Sequence, residues 1–256
     1  MTQSEKRVFL INYLLRERGE NISVPQGEPS QKRLLRALMN VRLPAPVSDE
    51  FLRIQDEYLK TAIAEKGITD ADDFDYGNGV ALWQGDITTL KVDGIVNAAN
   101  SRLLGCFVPE HHCIDNAIHT FAGVELRNEC DCIMREQGVE EPTGQAKITK
   151  GYNLPCKYVL HTVGPIVYGN LTEEHEKLLY SCYGNCLALA DKNGLASLAF
   201  CCISTGEFCF PNERAAEIAL DAVKRYKAET GSKIKVIFNV FKDVDYAIYK
   251  RLLGRN

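Results

Sequence analysis

The sequence predicts an α/β domain preceded by an all-helical extension. Three observations carry this. From about residue 79 onward, apolar runs rich in β-branched and aromatic residues alternate with segments of helical periodicity. The first 75 residues show helical periodicity only. The chain, at 256 residues, suits one large domain with an appendage.

In the extension, residues 4–19 read as an amphipathic helix, with Val8, Phe9, Ile11, Leu14 and Leu15 at helical spacing. A polar linker, NISVPQGEPS, leads to a second helix at 31–41. A third spans SDEFLRIQDEYLKTAIAEKG. Ser48 suits its N-cap, Asp49 and Glu50 its first turn, and Gly67 its stop. Phe51, Ile54, Tyr58 and Leu59 form a stripe that packs onto a neighbour. The polar stretch TDADDFDYGNG then sets the expected boundary, with an extension at 1–75 and the α/β domain at 76–256.

In the α/β part, VALWQGDI, DGIVNAAN, KYVLHTV, LASLAFCCIS and KIKVIFNVF read as strands. Helices are expected at 115–137, 172–193, 211–230 and 243–253. Near-continuous apolar strands imply a sheet buried on both faces, whose ligand sits beyond the C-terminal strand ends.

Composition bounds the function. The hydrophobic fraction of 45% is that of a globular protein. A net charge of −4 speaks against a nucleic-acid partner, which needs a basic footprint. No stretch approaches the ~18 apolar residues of a membrane span. The N-terminus lacks the apolar run of a signal peptide, so a cytoplasmic location is expected. Ten cysteines are then expected to be reduced thiols, some buried and some available to metal, with Cys201 and Cys202 in the core.

The polar motifs fall at strand ends. In QGDIT, Asp86 offers an acceptor-only carboxylate suited to an amino group such as adenine's. In NAAN, Asn97 and Asn100 offer carboxamides suited to sugar hydroxyls, and the alanines permit close backbone approach. In STGEFCFP, Ser204, Thr205 and Gly206 can bring backbone N–H groups around a phosphate, and Pro211 suits the first turn of the next helix. Each motif taken alone is an ordinary turn. The segment GCFVPEHHCID holds two cysteines and two histidines, and Cys106, His111 and Cys113 fit a mixed sulfur–nitrogen zinc site. Spacing alone also admits His112. Asp115 reads as a helix N-cap, as a site carboxylate, or as both.

In order, GDIT, NAAN, CIDNAIH, HTVGP and STG with Pro211 resemble the macrodomain family of ADP-ribose-binding proteins, over residues 79–253. The cysteine–histidine segment, TGQAKITKGYNLPCKYVLHTVGP and the helical extension resemble its zinc-containing microbial ADP-ribosyl hydrolases. The resemblance implies a three-layer α/β/α fold with a mixed, mostly parallel sheet. It implies removal of mono-ADP-ribose from proteins, with a sirtuin-type transferase and a lipoylated carrier protein as partners. Asp86 and the Ile87 backbone would take adenine, and Asn100, supported by Asn97, the distal ribose. Ser204, Thr205, Gly206, Glu207 and Phe208 would cover the diphosphate, and Phe241 would stack on adenine. Zinc would sit on Cys106, His111 and Cys113, with a fourth position open unless Cys130 or Cys132 closes it; His119, on the apolar-periodic IDNAIHTFAG segment, reads as a packing histidine, with a ligand role as the alternative. With two sulfurs weakening its acidity, zinc would position substrate more than activate water, a role the family's aspartate, here Asp115, can share with Asn100 beside it. The competing reading is a non-catalytic ADP-ribose reader with a structural zinc.

Overall fold

The computed structural model describes residues 1–254. The extension forms α1 (Gln3–Glu17), α2 (Glu28–Val41) and α3 (Asp49–Lys66). Thr2 closes a capping box with Glu5 at the start of α1, and Ser48 Oγ accepts the Phe51 N–H at the start of α3. α2 begins three residues earlier than its periodicity predicts, because Pro29 in its first turn needs no N–H partner there. Leu10, Ile11, Leu14, Leu35, Leu38, Phe51, Ile54 and Leu59 bury a core of their own, which Val124 joins.

After α3 come β1 (Thr69–Asp70), β2 (Val80–Gln84), β3 (Leu90–Lys91) and β4 (Gly94–Ala99). They are followed by α4 (Ile114–Ala122), α5 (Val124–Gln137), β5 (Ala146–Lys150) and β6 (Tyr158–Val163). The chain ends with α6 (Glu173–Lys192), β7 (Ser197–Phe200), α7 (Asn212–Thr230), β8 (Lys235–Val240) and α8 (Asp243–Leu252). The main sheet runs β2-β8-β7-β4-β6-β5, parallel throughout except for β5, which pairs antiparallel with β6. β1 and β3 form a separate two-residue parallel pair.

Three elements depart from the sequence reading. The helix expected at 115–137 is two helices, broken at Gly123 (φ 100°), where a Cβ would lie 2.6 Å from Gln55 Nε2. The edge strand β5 is too polar, with Lys147 and Lys150, to stand out as a strand, a composition typical of protected edges. The N-cap of α4 is Cys113, whose Sγ accepts the Asn116 N–H at 3.4 Å; Asp115 lies inside the first turn.

Crossover handedness sets the layers. The β4-to-β6 connection through α4 and α5 steps one way along the sheet, whereas β6 to β7 through α6 and β7 to β8 through α7 step the other way. Right-handed crossovers therefore place α4 and α5 on one face and α6 and α7 on the other, with α8 against α7. Of the extension, α2 and α3 pack on α4, and α1 packs on α2 and α3. Neighbouring β4 and β7 send their chains to opposite faces, and this opens a crevice beyond their C-terminal ends.

Candidate functional site

Asp86 follows β2 and caps the turn Ile87–Thr89. Its Oδ1 accepts the Thr88 N–H at 3.0 Å and hydroxyl at 2.6 Å, and its Oδ2 accepts Lys66 Nζ at 2.8 Å. Burial alone would raise its pKa, but the Lys66 ammonium and the Thr88 donors outweigh burial and hold it below the usual value. Ile87 packs its side chain into the core. Gly85 N–H donates to the Val240 carbonyl, and Asn239 Nδ2 donates to the Gly85 carbonyl, so β8 fixes this turn. Phe241, just past β8, is 76% exposed beside it, with its carbonyl on Gln84 Nε2.

At the crevice the chemistry changes. Asn97, on β4, is fully buried and stands in register with His161 on β6; their Nδ2 and Nδ1 atoms are 3.2 Å apart. Asn97 Nδ2 donates to Asp115 Oδ1 at 2.8 Å, and Asn100 Nδ2 to Asp115 Oδ2 at 3.2 Å and to the Gly105 carbonyl at 3.1 Å. The Asp115 carboxyl is thus held by two neutral amides and no close cation. Burial dominates and pushes its pKa up to about 6, against the Asn97 bond, the more distant Arg127 and Asn100.

Gly105 opens the cysteine–histidine loop at φ 80°, and a Cβ there would lie 2.7 Å from the His119 ring. The loop folds back so that ligand atoms of Cys106, His111 and Cys113 all lie within 4.8 Å of one another. His111 Nδ1 is buried without a hydrogen-bond partner among the described residues. An orphaned imidazole nitrogen beside two thiols fits a divalent metal of zinc's type. His111, and not His112, belongs to this trio. Burial raises the metal-free Cys113 thiol to about 12, so a cation that favours the thiolate would oppose this shift.

His119 belongs to a separate buried cluster with Cys130 and His161, and Cys132 is exposed. Neither cysteine of ECDC joins the trio. Burial first, then Arg127 and His161, depress His119 well below the usual histidine value. It is therefore a neutral ring 3.5 Å from Asp115 and not an ion-pair partner.

The loop after β7 completes the crevice. Ser204 (φ 65°) starts a turn in which Cys209 N–H donates to the Gly206 carbonyl and Phe210 N–H to the Ser204 carbonyl. The Phe208 carbonyl accepts the Val167 N–H, which ties this loop to the one after β6. Gly164 of HTVGP is required by close approach, since a Cβ there would lie 2.1 Å from Ser204 Oγ. Glu207 Oε1 lies 3.7 Å from His111 Nε2, so the STGEF loop and the metal-type loop face each other. Thr205 Oγ1 donates back to the Cys202 carbonyl, and Gly206 meets nothing within 4 Å of a built Cβ.

Sequence reasoning missed four side chains here. Lys66, Arg36, Asn116 and Arg127 reach the site from helices, where a charged or amide residue usually marks a solvated face. Arg127 is buried and donates to the carbonyls of Leu104, Met39 and Arg42, joining the site loop to the extension. Only Asn116 carried a local signal, through its place beside Asp115 in CIDNAIH.

The domain is a three-layer α/β/α sandwich on a mixed, mostly parallel sheet, with Asp86, Asp115 and the Ser204–Phe208 turn in the segments that leave β2, β4 and β7. The model of the Macro domain matches residues 96–219. A protein-ADP-ribose hydrolase of Treponema medium is 58% identical over 261 residues, covering 99% of this chain and 100% of that protein. One from Staphylococcus aureus strain MSSA476 is 49% identical over 253 residues, covering 97% and 95%. Among solved structures, a Trypanosoma brucei macrodomain in complex with ADP-ribose matches at TM-score 0.66 and 32% identity, covering 86% of this chain and 95% of that one. An Oceanobacillus iheyensis macrodomain with ADP matches at TM-score 0.61 and 38% identity, covering 68% and 88%. The chain belongs to the macrodomain family.

Proposed function

We propose that this chain is a protein mono-ADP-ribosyl hydrolase whose activity depends on zinc. The observation that carries the reading is the Asp115 carboxylate, held by Asn97 and Asn100 at the crevice and flanked by the Cys106–His111–Cys113 trio. The two relatives named protein-ADP-ribose hydrolase match over almost their whole length, extension included, which supports the same activity here. We propose the division of labour between a helical extension, residues 1–75, and the macrodomain, residues 76–256, on the separate core of the helices.

ADP-ribose would run from Asp86 to Asp115. The Asp86 carboxylate and the Ile87 main chain would hold adenine, and the exposed Phe241 ring is available to stack on it. The Ser204–Phe208 turn would offer N–H groups to the diphosphate. Asn100 would take a hydroxyl of the distal ribose, while Asn97 keeps Asp115 in place. Cys106, His111 and Cys113 would hold zinc, which when bound supplies an electrophilic anchor for a ribose hydroxyl or the scissile oxygen. Asp115 would align a water with the anomeric carbon. The water oxygen bonds to that carbon, the bond to the protein side chain breaks, and the water proton ends on the leaving group.

The likeness to the zinc-containing microbial subclass extends the proposal to a lipoylated carrier protein, modified by a sirtuin-type transferase, as substrate. Ten free cysteines accord with a cytoplasmic location. Among the described residues, no helix is long and apolar enough to cross a membrane. The test is release of ADP-ribose from a mono-ADP-ribosylated protein by wild type, metal-stripped protein and Cys113→Ala. Zinc-restorable loss in the stripped form and lasting loss in Cys113→Ala are expected. Full activity in both would refute zinc dependence, and tight ADP-ribose binding without turnover would mark a reader.

A further inference from the structure

The metal-type loop is not self-supporting. Residues 105–113 form neither helix nor strand, and Glu110 takes a left-handed backbone (φ 56°) that a β-carbon disfavours. Something outside the loop must hold its donors together. One face of α2 does so. Arg33, Arg36 and Asn40, spaced three and four apart, project from the same side of that helix. Asn40 Oδ1 accepts the Glu110 N–H at 3.0 Å and its Nδ2 donates to Thr120 Oγ1 at 2.9 Å, whereas Arg33 adds only a solvent-exposed ion pair with the Glu110 carboxylate, which does not hold the loop.

Arg36 reaches further in. Its Nη2 donates to the His111 carbonyl at 2.9 Å and to Asn116 Oδ1 at 2.8 Å, and its Nε also reaches Asn116 Oδ1 at 3.2 Å. Asn116 is fully buried in α4. Its Nδ2 donates to the Val108 carbonyl at 3.0 Å and the Cys106 carbonyl at 3.4 Å, and its backbone N–H points at Cys113 Sγ at 3.4 Å. Two hydrogen-bonded residues, one from each part of the molecule, therefore touch all three residues of the trio: the Arg36 side chain reaches the His111 carbonyl, the Asn116 side chain the Cys106 carbonyl, and the Asn116 backbone N–H the Cys113 sulfur.

We infer that Arg36, acting through the His111 main chain and through Asn116, is the positioning residue of the metal site, so the second helix of the extension is a working part of that site. The inference rests on the zinc reading above. The planar fork of an arginine is what the geometry demands. It serves a carbonyl and an amide oxygen at once, which a single ammonium cannot do in the same plane. Outer partners that orient ligands typically change metal affinity by ~10–100-fold when removed.

The test measures the zinc dissociation constant by competition with a chromophoric chelator, together with melting of the metal-free protein. It uses full-length wild type, Arg36→Met, Arg36→Lys and Arg33→Ala. Arg36→Met should lose about 10–100-fold in zinc affinity while its metal-free form still melts cooperatively. Arg36→Lys keeps the charge and the stem but should also bind zinc more weakly than wild type. Arg33→Ala, which removes only an exposed pair, should stay within about threefold. If Arg36→Met does not fold, Arg36→Lys decides. Folded Arg36 variants that bind zinc as tightly as wild type overturn the inference alone. A wild type that takes up no zinc overturns the metal reading beneath it.

Discussion

Asp86 follows β2 and Asp115 lies in the first turn of α4, and their surroundings push the two carboxyls in opposite directions. Asp86 is partly open to solvent, its side chain 38% exposed, and it is paired with an ammonium. Asp115 is 5% exposed and meets only neutral amides at hydrogen-bond distance. A charge-compensated carboxylate stays ionised and serves as a fixed acceptor. A buried one without a close cation keeps a raised proton affinity and is costly to ionise. The same side chain thus has opposite proton affinities in the two places, and the proposed roles in adenine recognition and water positioning rest on that contrast.

The largest way to break this comparison is at Asp115. Asp115→Asn should lower the single-turnover rate of ADP-ribose release by about 10²–10⁴-fold, the usual contribution of a positioned acid–base group. ADP-ribose affinity by calorimetry should stay within a few-fold of about the wild-type value, a change too small to signal lost transition-state stabilisation. The metal-free variant should melt at or above wild type, since a buried charge has been removed. Asp86→Ala should do the reverse. It should weaken ADP-ribose binding by about 1.5–3 kcal/mol, the worth of a hydrogen bond to a charged group, with little change in rate at saturation.

Gly164→Ala would drive a Cβ into Ser204 Oγ, so the diphosphate turn must shift. Overpacking of this kind should cost about 1–3 kcal/mol of stability, read from chemical denaturation, with loss of ADP affinity. The smallest effect is expected at Lys66. Asp86 has a folded-state pKa below its unfolded value near ~3.9, so the pair stabilises above that pH and its contribution fades as pH falls through the lowered value. Because the carboxylate is partly exposed, Lys66→Met should cost under ~1 kcal/mol at pH 7, and wild type and variant should converge as the pH falls through that lowered value.

How much of this was legible in the sequence depends on range. Motifs at strand ends are local: Asp86, Asn100 and the STGEF turn could be placed because a parallel sheet gathers its C-terminal ends on one edge. The Cys106–His111–Cys113 trio could be read because its donors lie within eight positions of one another. What Asn97 does could not be read, since its partners, Asp115 and His161, are set by strand register and a helix start. The break at Gly123 was hidden because both sides of it have helical periodicity, and the reason for it, Gln55, lies in another helix. Lys66 and Arg36 were invisible for the same reason. Each is an ordinary charged residue on an amphipathic helix until packing turns it toward the cleft.

The most direct test of the whole account is a crystal structure of Asp115→Asn with ADP-ribose and zinc. The account predicts adenine on Asp86, the diphosphate under the Ser204–Phe208 turn, and the distal ribose between Asn100 and a zinc ion held by Cys106, His111 and Cys113. A distal ribose directed away from residue 115, or zinc bound by other residues, would contradict it.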